Sequence, residues 1–211
     1  QFPFKEWVVG SSPTRLTKKK LVKPEMNVNP SLLSKIIQLH KDGNFKDSKS
    51  LILEILKKDK NNPEILKLLS FTELQIGNTD ESIRIINKAI NFKKENAEFY
   101  LLRGYANMKK LDYQSAITDF EKTININPRL KDAHLNIGVI YSELKDFKKS
   151  LKYLLKVIEI DPNDHRAFSN IAYIKSEMNE YDEALKEINK SIQINDRNLT
   201  AYLLRGNFYK Q

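Results

Sequence analysis

Stepped by 34 residues, the chain aligns with itself from Asn29 to its last residue without an insertion or a deletion. The copies begin at Asn29, Pro63, Ala97, Lys131, His165 and Leu199, giving repeats 29–62, 63–96, 97–130, 131–164 and 165–198 and a partial repeat 199–211. Counting the first residue of each copy as phase 1, phase 8 is mostly small (Ile36, Ser70, Gly104, Gly138, Ala172, Gly206). Phase 20 is small throughout (Ser48, Ser82, Ala116, Ser150, Ala184), and phase 24 is large and apolar (Ile52, Ile86, Phe120, Leu154, Ile188). An internal repeat of this length fixes the architecture ahead of any local propensity.

Each copy reads as two helices. In the third, Tyr100, Leu101, Tyr105 and Met108 recur at helical spacing. After Leu111-Asp112 a second run follows, Tyr113, Ala116, Ile117, Phe120 and Ile124. Asp112, Asp146 and Glu180 share one phase between the runs, where an aspartate can cap the second helix and any carboxylate meets its positive end. Pro128 and Pro162 at phase 32 cannot continue a helix and mark the link to the next copy. Small residues at phases 8 and 20 predict a close crossing of helices A and B. One such hairpin buries too little to stand alone, so successive copies must stack.

The 34-residue period with Gly at phase 8, Ala at phase 20, Phe or Leu at phase 24 and Pro at phase 32 resembles the tetratricopeptide repeat, over residues 29–211. The resemblance implies an all-α, right-handed α-α superhelix. It also implies a concave face lined by A helices through phases 2, 5, 6, 9, 12 and 13. On that basis the expected peptide-binding residues are Phe71, Leu101, Tyr105, Met108, Asn136, Val139, Asn170 and Tyr173, apolar toward the N-terminal end and amide-lined toward the other. Some of these positions could instead pack between neighbouring A helices. Phases 4, 7 and 11, with Leu69, Tyr141, Ile171 and Tyr209 among them, are expected in the core. The carboxylate clamp of chaperone-tail receptors in the family is absent, because phase 5 is mostly Leu and Asn occupies phase 9 only at Asn207. Asn136 and Asn170 resemble two rungs of the asparagine ladder found in the family's sugar-transferase superhelices.

Catalytic and cofactor chemistry finds no foothold. The chain has no cysteine, which removes disulfides, thiolate metal sites and cysteine nucleophiles. His40, His134 and His165 lie at three different phases, and His134 takes a phase otherwise held by Tyr100, Phe168 and Tyr202, so core packing accounts for it. No phosphate loop, metal-binding spacing or serine elbow is present. No enzyme activity, cofactor or metal is therefore expected. The net charge of +9 does not make a nucleic-acid surface. Residues 1–25 hold six basic and two acidic side chains, and the remaining 30 basic residues are interleaved with 25 acidic ones. No apolar run reaches the 18 residues of a membrane span, and no signal peptide is evident, so the expected address is cytoplasmic.

Residues 1–28 have no helical period and predict a disordered basic tail. The string Gly10-Ser11-Ser12-Pro13 resembles the translated T-loop of a transfer-RNA gene, which would make Met26 the true start and the preceding residues foreign to the natural protein. The other reading is a basic arm that orders on an acidic partner. The partial sixth repeat, which supplies a helix A alone, reads as a fragment of a longer array. The function expected is a non-catalytic scaffold that holds a protein or peptide ligand in its concave groove. The alternative is the N-terminal arm of a longer enzyme, a glycosyltransferase or sulfotransferase.

Overall fold

The computed structural model describes residues 29–209, so the expected tail, 1–28, and the final two residues lie outside it. Among the described residues there are eleven α-helices and no strand. They are α1 (Pro30–Lys41), α2 (Phe45–Lys58), α3 (Pro63–Ile76), α4 (Thr79–Phe92), α5 (Ala97–Lys109), α6 (Tyr113–Ile126), α7 (Lys131–Glu143), α8 (Phe147–Ile160), α9 (His165–Glu177), α10 (Tyr181–Ile194) and α11 (Leu199–Phe208). Odd-numbered helices are the A helices and even-numbered ones the B helices. The chain forms two compact segments, divided between Ile126 and Asn127. The first holds α1–α6 as three hairpins, and the second holds α7–α10 as two hairpins followed by α11.

The joint between A and B follows one plan in all five hairpins. Phase 15 carries a left-handed residue each time: Gly43, Gly77, Leu111, Lys145 and Asn179, with φ between 60° and 102°. In the third repeat the Leu111 amide donates to the Met108 carbonyl (2.9 Å) and the Asp112 amide to the Asn107 carbonyl (3.0 Å). This 5→2 and 6→1 pair closes helix A as a Schellman motif and satisfies its last carbonyls. The next residue then opens helix B. Asp112 accepts from the Ser115 amide and Asp146 from the Lys149 amide, both at 3.1 Å, as the sequence leads one to expect, whereas Glu180 forms no such cap. A helices are capped in turn by Asn29, Asn62, Asn96, Asp164 and Asn198, while α7, preceded by Leu130, has no side-chain cap.

The small phases do what their size implies. A Cβ on Gly104 would come within 2.6 Å of the Phe120 ring, and one on Gly138 within 2.9 Å of Leu154. Phase 8 of helix A thus meets phase 24 of helix B, whose five occupants are fully buried. Serine at phase 20 keeps its hydroxyl paired inside the crossing. Ser150 donates to the Gly138 carbonyl at 2.6 Å, and Ser82 meets Ser70 at 2.9 Å. The first segment's core runs through Ile36, Ile52, Ile65, Leu74, Ile86 and Phe99, and the second is built on Leu135, Leu154, Ile174, Ala184 and Ile188.

Candidate functional site

The candidate site is the A-helix face, taken segment by segment. In the first segment α3 lies against α5. Phe71 on α3 and Tyr105 and Leu101 on α5 are half-buried, so each keeps part of its apolar surface in solvent. Their inner edges are anchored. Phe71 packs on the rings of His40 (5.4 Å between centroids) and Phe45 (6.5 Å), and Tyr105 meets Phe120 edge-on at 5.6 Å. Met108 is only 4% exposed and fills the interior rather than the face.

In the second segment α7 lies against α9, and Val139, Asn170 and Tyr173 are half-buried there. Asn136 is 3% exposed, and its amide donates to the Asp132 carbonyl one turn back (2.5 Å). Asn170 does the same to the Arg166 carbonyl at 2.8 Å. Both amides are thus engaged with their own helices. Tyr173 is flanked by Lys145, whose ammonium stands 5.7 Å from the ring centroid and is held by Glu177 at 2.5 Å. Burial, then the carboxylate of Glu177, raises the Tyr173 pKa above the usual phenol value.

Charged networks that phase counting did not anticipate border this face. Lys67, at phase 5 of α3, bridges Glu98 on α5 (2.6 Å) and Glu64 (3.2 Å). Burial alone would lower the Lys67 pKa, but the two carboxylates outweigh it and raise the value. In the second segment Arg166 bridges Asp132 at 2.9 Å and Asp164 at 2.6 Å, and Lys131 pairs with Asp164 at 2.7 Å and with Asp161. Asp164 is almost fully buried. Its burial would raise its pKa, but Arg166 and Lys131 hold it far below the carboxylate range. The available signal was the acidic residue at phase 2 in three successive copies, Glu64, Glu98 and Asp132.

Within each segment these ion pairs tie one repeat to the next and leave an apolar row between charged margins. Among the described residues no group of three His, Cys, Asp or Glu side chains is placed to hold a metal. The three histidines do not converge. His40 sits between Ser48 (2.7 Å) and Thr72 (3.0 Å), His134 against the Pro128 carbonyl (3.0 Å), and His165 against Asn195 and Asn198. Among these residues, too, no helix is long and apolar enough to cross a membrane.

Comparisons with known proteins agree with this fold. Three tetratricopeptide-repeat profiles match residues 97–130, 132–164 and 153–186. No curated protein matches the chain. Among solved structures, MamA is similar at 26% identity and TM-score 0.66, over 77% of this chain and 95% of that one. TTC0263, a thermophilic TPR protein of Thermus thermophilus, is 19% identical with TM-score 0.71, over 86% and 98% of the two chains. PilW, a widely conserved type IV pilus biogenesis factor, is 17% identical with TM-score 0.77, over 87% and 86%. With the repeat period, the helical hairpins and their small-residue crossings already in place, these matches identify residues 97–130 and 132–186 as tetratricopeptide repeats, in a chain with the fold of tetratricopeptide repeat proteins.

Proposed function

We propose that the chain is a protein-interaction scaffold and that, within each segment, the phase-9 residues of the A helices form its contact surface. The observation that carries this reading is the state of Phe71, Tyr105, Val139 and Tyr173: all four are large and apolar or aromatic, and all four are half-buried. A face with no partner would place charge at this phase, as the margins at phases 2 and 13 do with Glu64, Glu98, Lys109 and Glu143. Fixed aromatic rings bind at little entropic cost, because their inner edges are already immobilised. The ligand class is a polypeptide with apolar side chains, extended or helical, seated along adjacent A helices. Met108 and Asn136 belong to the reading as supports beneath the row.

Leu101 provides the test, since it lies half-buried beside Tyr105. Peptides of about 12 residues selected by display against the whole chain should lose about 1–2 kcal/mol of affinity on Leu101→Ala, with the melting temperature nearly unchanged. A variant that melts early yet binds the selected peptides as before would return this row to the core and remove the basis of the proposal.

A further inference from the structure

The joint between α7 and α8 carries a side chain that its backbone does not need. Lys145 holds the left-handed turn at φ 60°, a conformation that suits glycine and burdens any residue with a Cβ. Its backbone meets the demands of the turn, since the Lys145 amide donates to the Ser142 carbonyl (3.0 Å) and the Asp146 amide to the Tyr141 carbonyl (2.9 Å). Glycine, as at Gly43 and Gly77, would meet them with less strain. The turn therefore accounts for the backbone of Lys145 and not for its side chain.

That side chain reaches out of its own hairpin to α9. Its ammonium lies 2.5 Å from a Glu177 carboxylate oxygen and donates to the Tyr173 hydroxyl at 3.4 Å. It also stands 5.6 Å from the Phe147 ring centroid and 5.7 Å from that of Tyr173. Phe147 and Tyr173 pack against one buried cluster, around Leu135, Leu154 and Ile171, so the cation bridges two rings whose inner edges are fixed. Glu177, then the Tyr173 hydroxyl, holds the Lys145 pKa above the ordinary lysine value, and the ammonium stays charged. In the first segment the joints that precede Phe71 and Tyr105 are Gly43 and Gly77, which offer no side chain. There Phe71 leans on the rings of His40 and Phe45, and Tyr105 on Phe120.

We infer that Lys145 is a positioning residue for the contact surface: anchored by Glu177, it holds the hydroxyl and ring of Tyr173 from the neighbouring repeat and fixes that ring for a partner. This role rests on the phase-9 reading, in which Tyr173 touches the partner and Lys145 acts only through it. Without the ammonium, Tyr173 would keep its packed inner edge while its outer end gained freedom. A partner would then have to order the ring at the moment of binding. The left-handed strain at Lys145 is thus local strain kept at a functional site.

The test uses the whole chain and a display-selected peptide whose affinity falls on Tyr173→Ala, titrated by fluorescence anisotropy. Lys145→Gly relaxes the turn, so its urea midpoint should equal or exceed the parent's. Its affinity for that peptide should nonetheless drop ~threefold or more, the size of a partly exposed cation–π contact. A merely structural lysine would show the reverse, a lower midpoint with binding unchanged. In the Tyr173→Ala background Lys145→Gly should cost no further affinity, because nothing remains for it to hold. Glu177→Gln, which frees the ammonium, should weaken binding in the same direction. Leu111→Gly, the same relaxation at another joint, should leave affinity as it is. Full affinity in Lys145→Gly, or an equal loss with and without Tyr173, would overturn the inference. So would the absence of any selected peptide that depends on Tyr173, while the first-segment row is decided separately by Leu101→Ala.

Discussion

His40 shows how one side chain can couple the core to pH. The ring is 5% exposed among Phe45, Phe71, Ser48 and Thr72. Thr72 spends its own proton on the Leu68 carbonyl (2.8 Å), so it accepts from Nε2–H, and Nδ1 is left buried without a partner. Protonation would place an unpaired N–H and a charge in that site, and burial accordingly pushes the pKa down to about 4. The sign follows. Above the unfolded value near 6.5 both states are neutral and nothing is lost. As pH falls toward about 4 the unfolded chain takes up the proton first, so stability declines by roughly 2 kcal/mol after allowance for partial solvation. Urea unfolding at about pH 7 and about pH 4.5, on either side of the ordinary histidine value, measures the decline, and His40→Gln should flatten most of it. His134 and His165, both also lowered by burial, contribute to the remaining slope, as do the ion-paired carboxylates Asp161 and Asp164, which are held below the ordinary carboxylate value. A slope as steep in His40→Gln as in the parent would show that His40 is solvated in the folded chain.

At the scale of the element, the A-to-B joint is where sequence and geometry disagree most usefully. All five joints need a left-handed residue at phase 15; glycine fills two and asparagine one, but Leu111 and Lys145 adopt the same conformation with a Cβ in place. That conformation costs a non-glycine residue about 1–2 kcal/mol, offset in part by the greater unfolded-state freedom of glycine. Leu111 is 62% exposed. Leu111→Gly should therefore raise stability by about 0.5–1 kcal/mol, seen as a higher denaturation midpoint with an unchanged slope. A lower midpoint would mean that the leucine side chain contributes more than its backbone strain removes. The helices and their crossings were legible from the chain because phases 8, 20 and 24 repeat one steric requirement. The phase-15 requirement was less visible, since Gly43 and Gly77 give way to unrelated side chains in later copies. Phase gives direction but not depth, which is why Met108 and Asn136 stood level with Phe71 in the sequence yet are buried in the structure. The Lys67 and Arg166 networks escaped for a related reason. Glu98 reaches Lys67, and Asp132 reaches Arg166, from a neighbouring repeat, and only the folded spacing brings them within hydrogen-bonding reach.

On the scale of the whole molecule, within each segment a helix packs on its own hairpin partner and on the helices of the neighbouring repeat. Stability in such an array is a sum of local contributions, and it need not be lost everywhere at once. The two segments offer a direct test. Ile188 is fully buried on α10 in a cluster with Ala172, Ala184, Ile192 and Leu204, all of the second segment. Ile188→Ala should destabilise that cluster by about 2–5 kcal/mol, from lost burial and the cavity left behind. Hydrogen exchange followed by mass spectrometry should then show faster exchange in α9, α10 and α11, while α3, α4 and α5 keep their protection. The first segment's cluster, from Leu33 to Ala106, contains none of the residues clustered with Ile188. Uniform loss of protection across all the described helices would instead show a single cooperative unit, with coupling between repeats stronger than the hairpins' own stabilities. Selective loosening of α9, α10 and α11 would leave the Phe71 and Tyr105 row of the first segment intact.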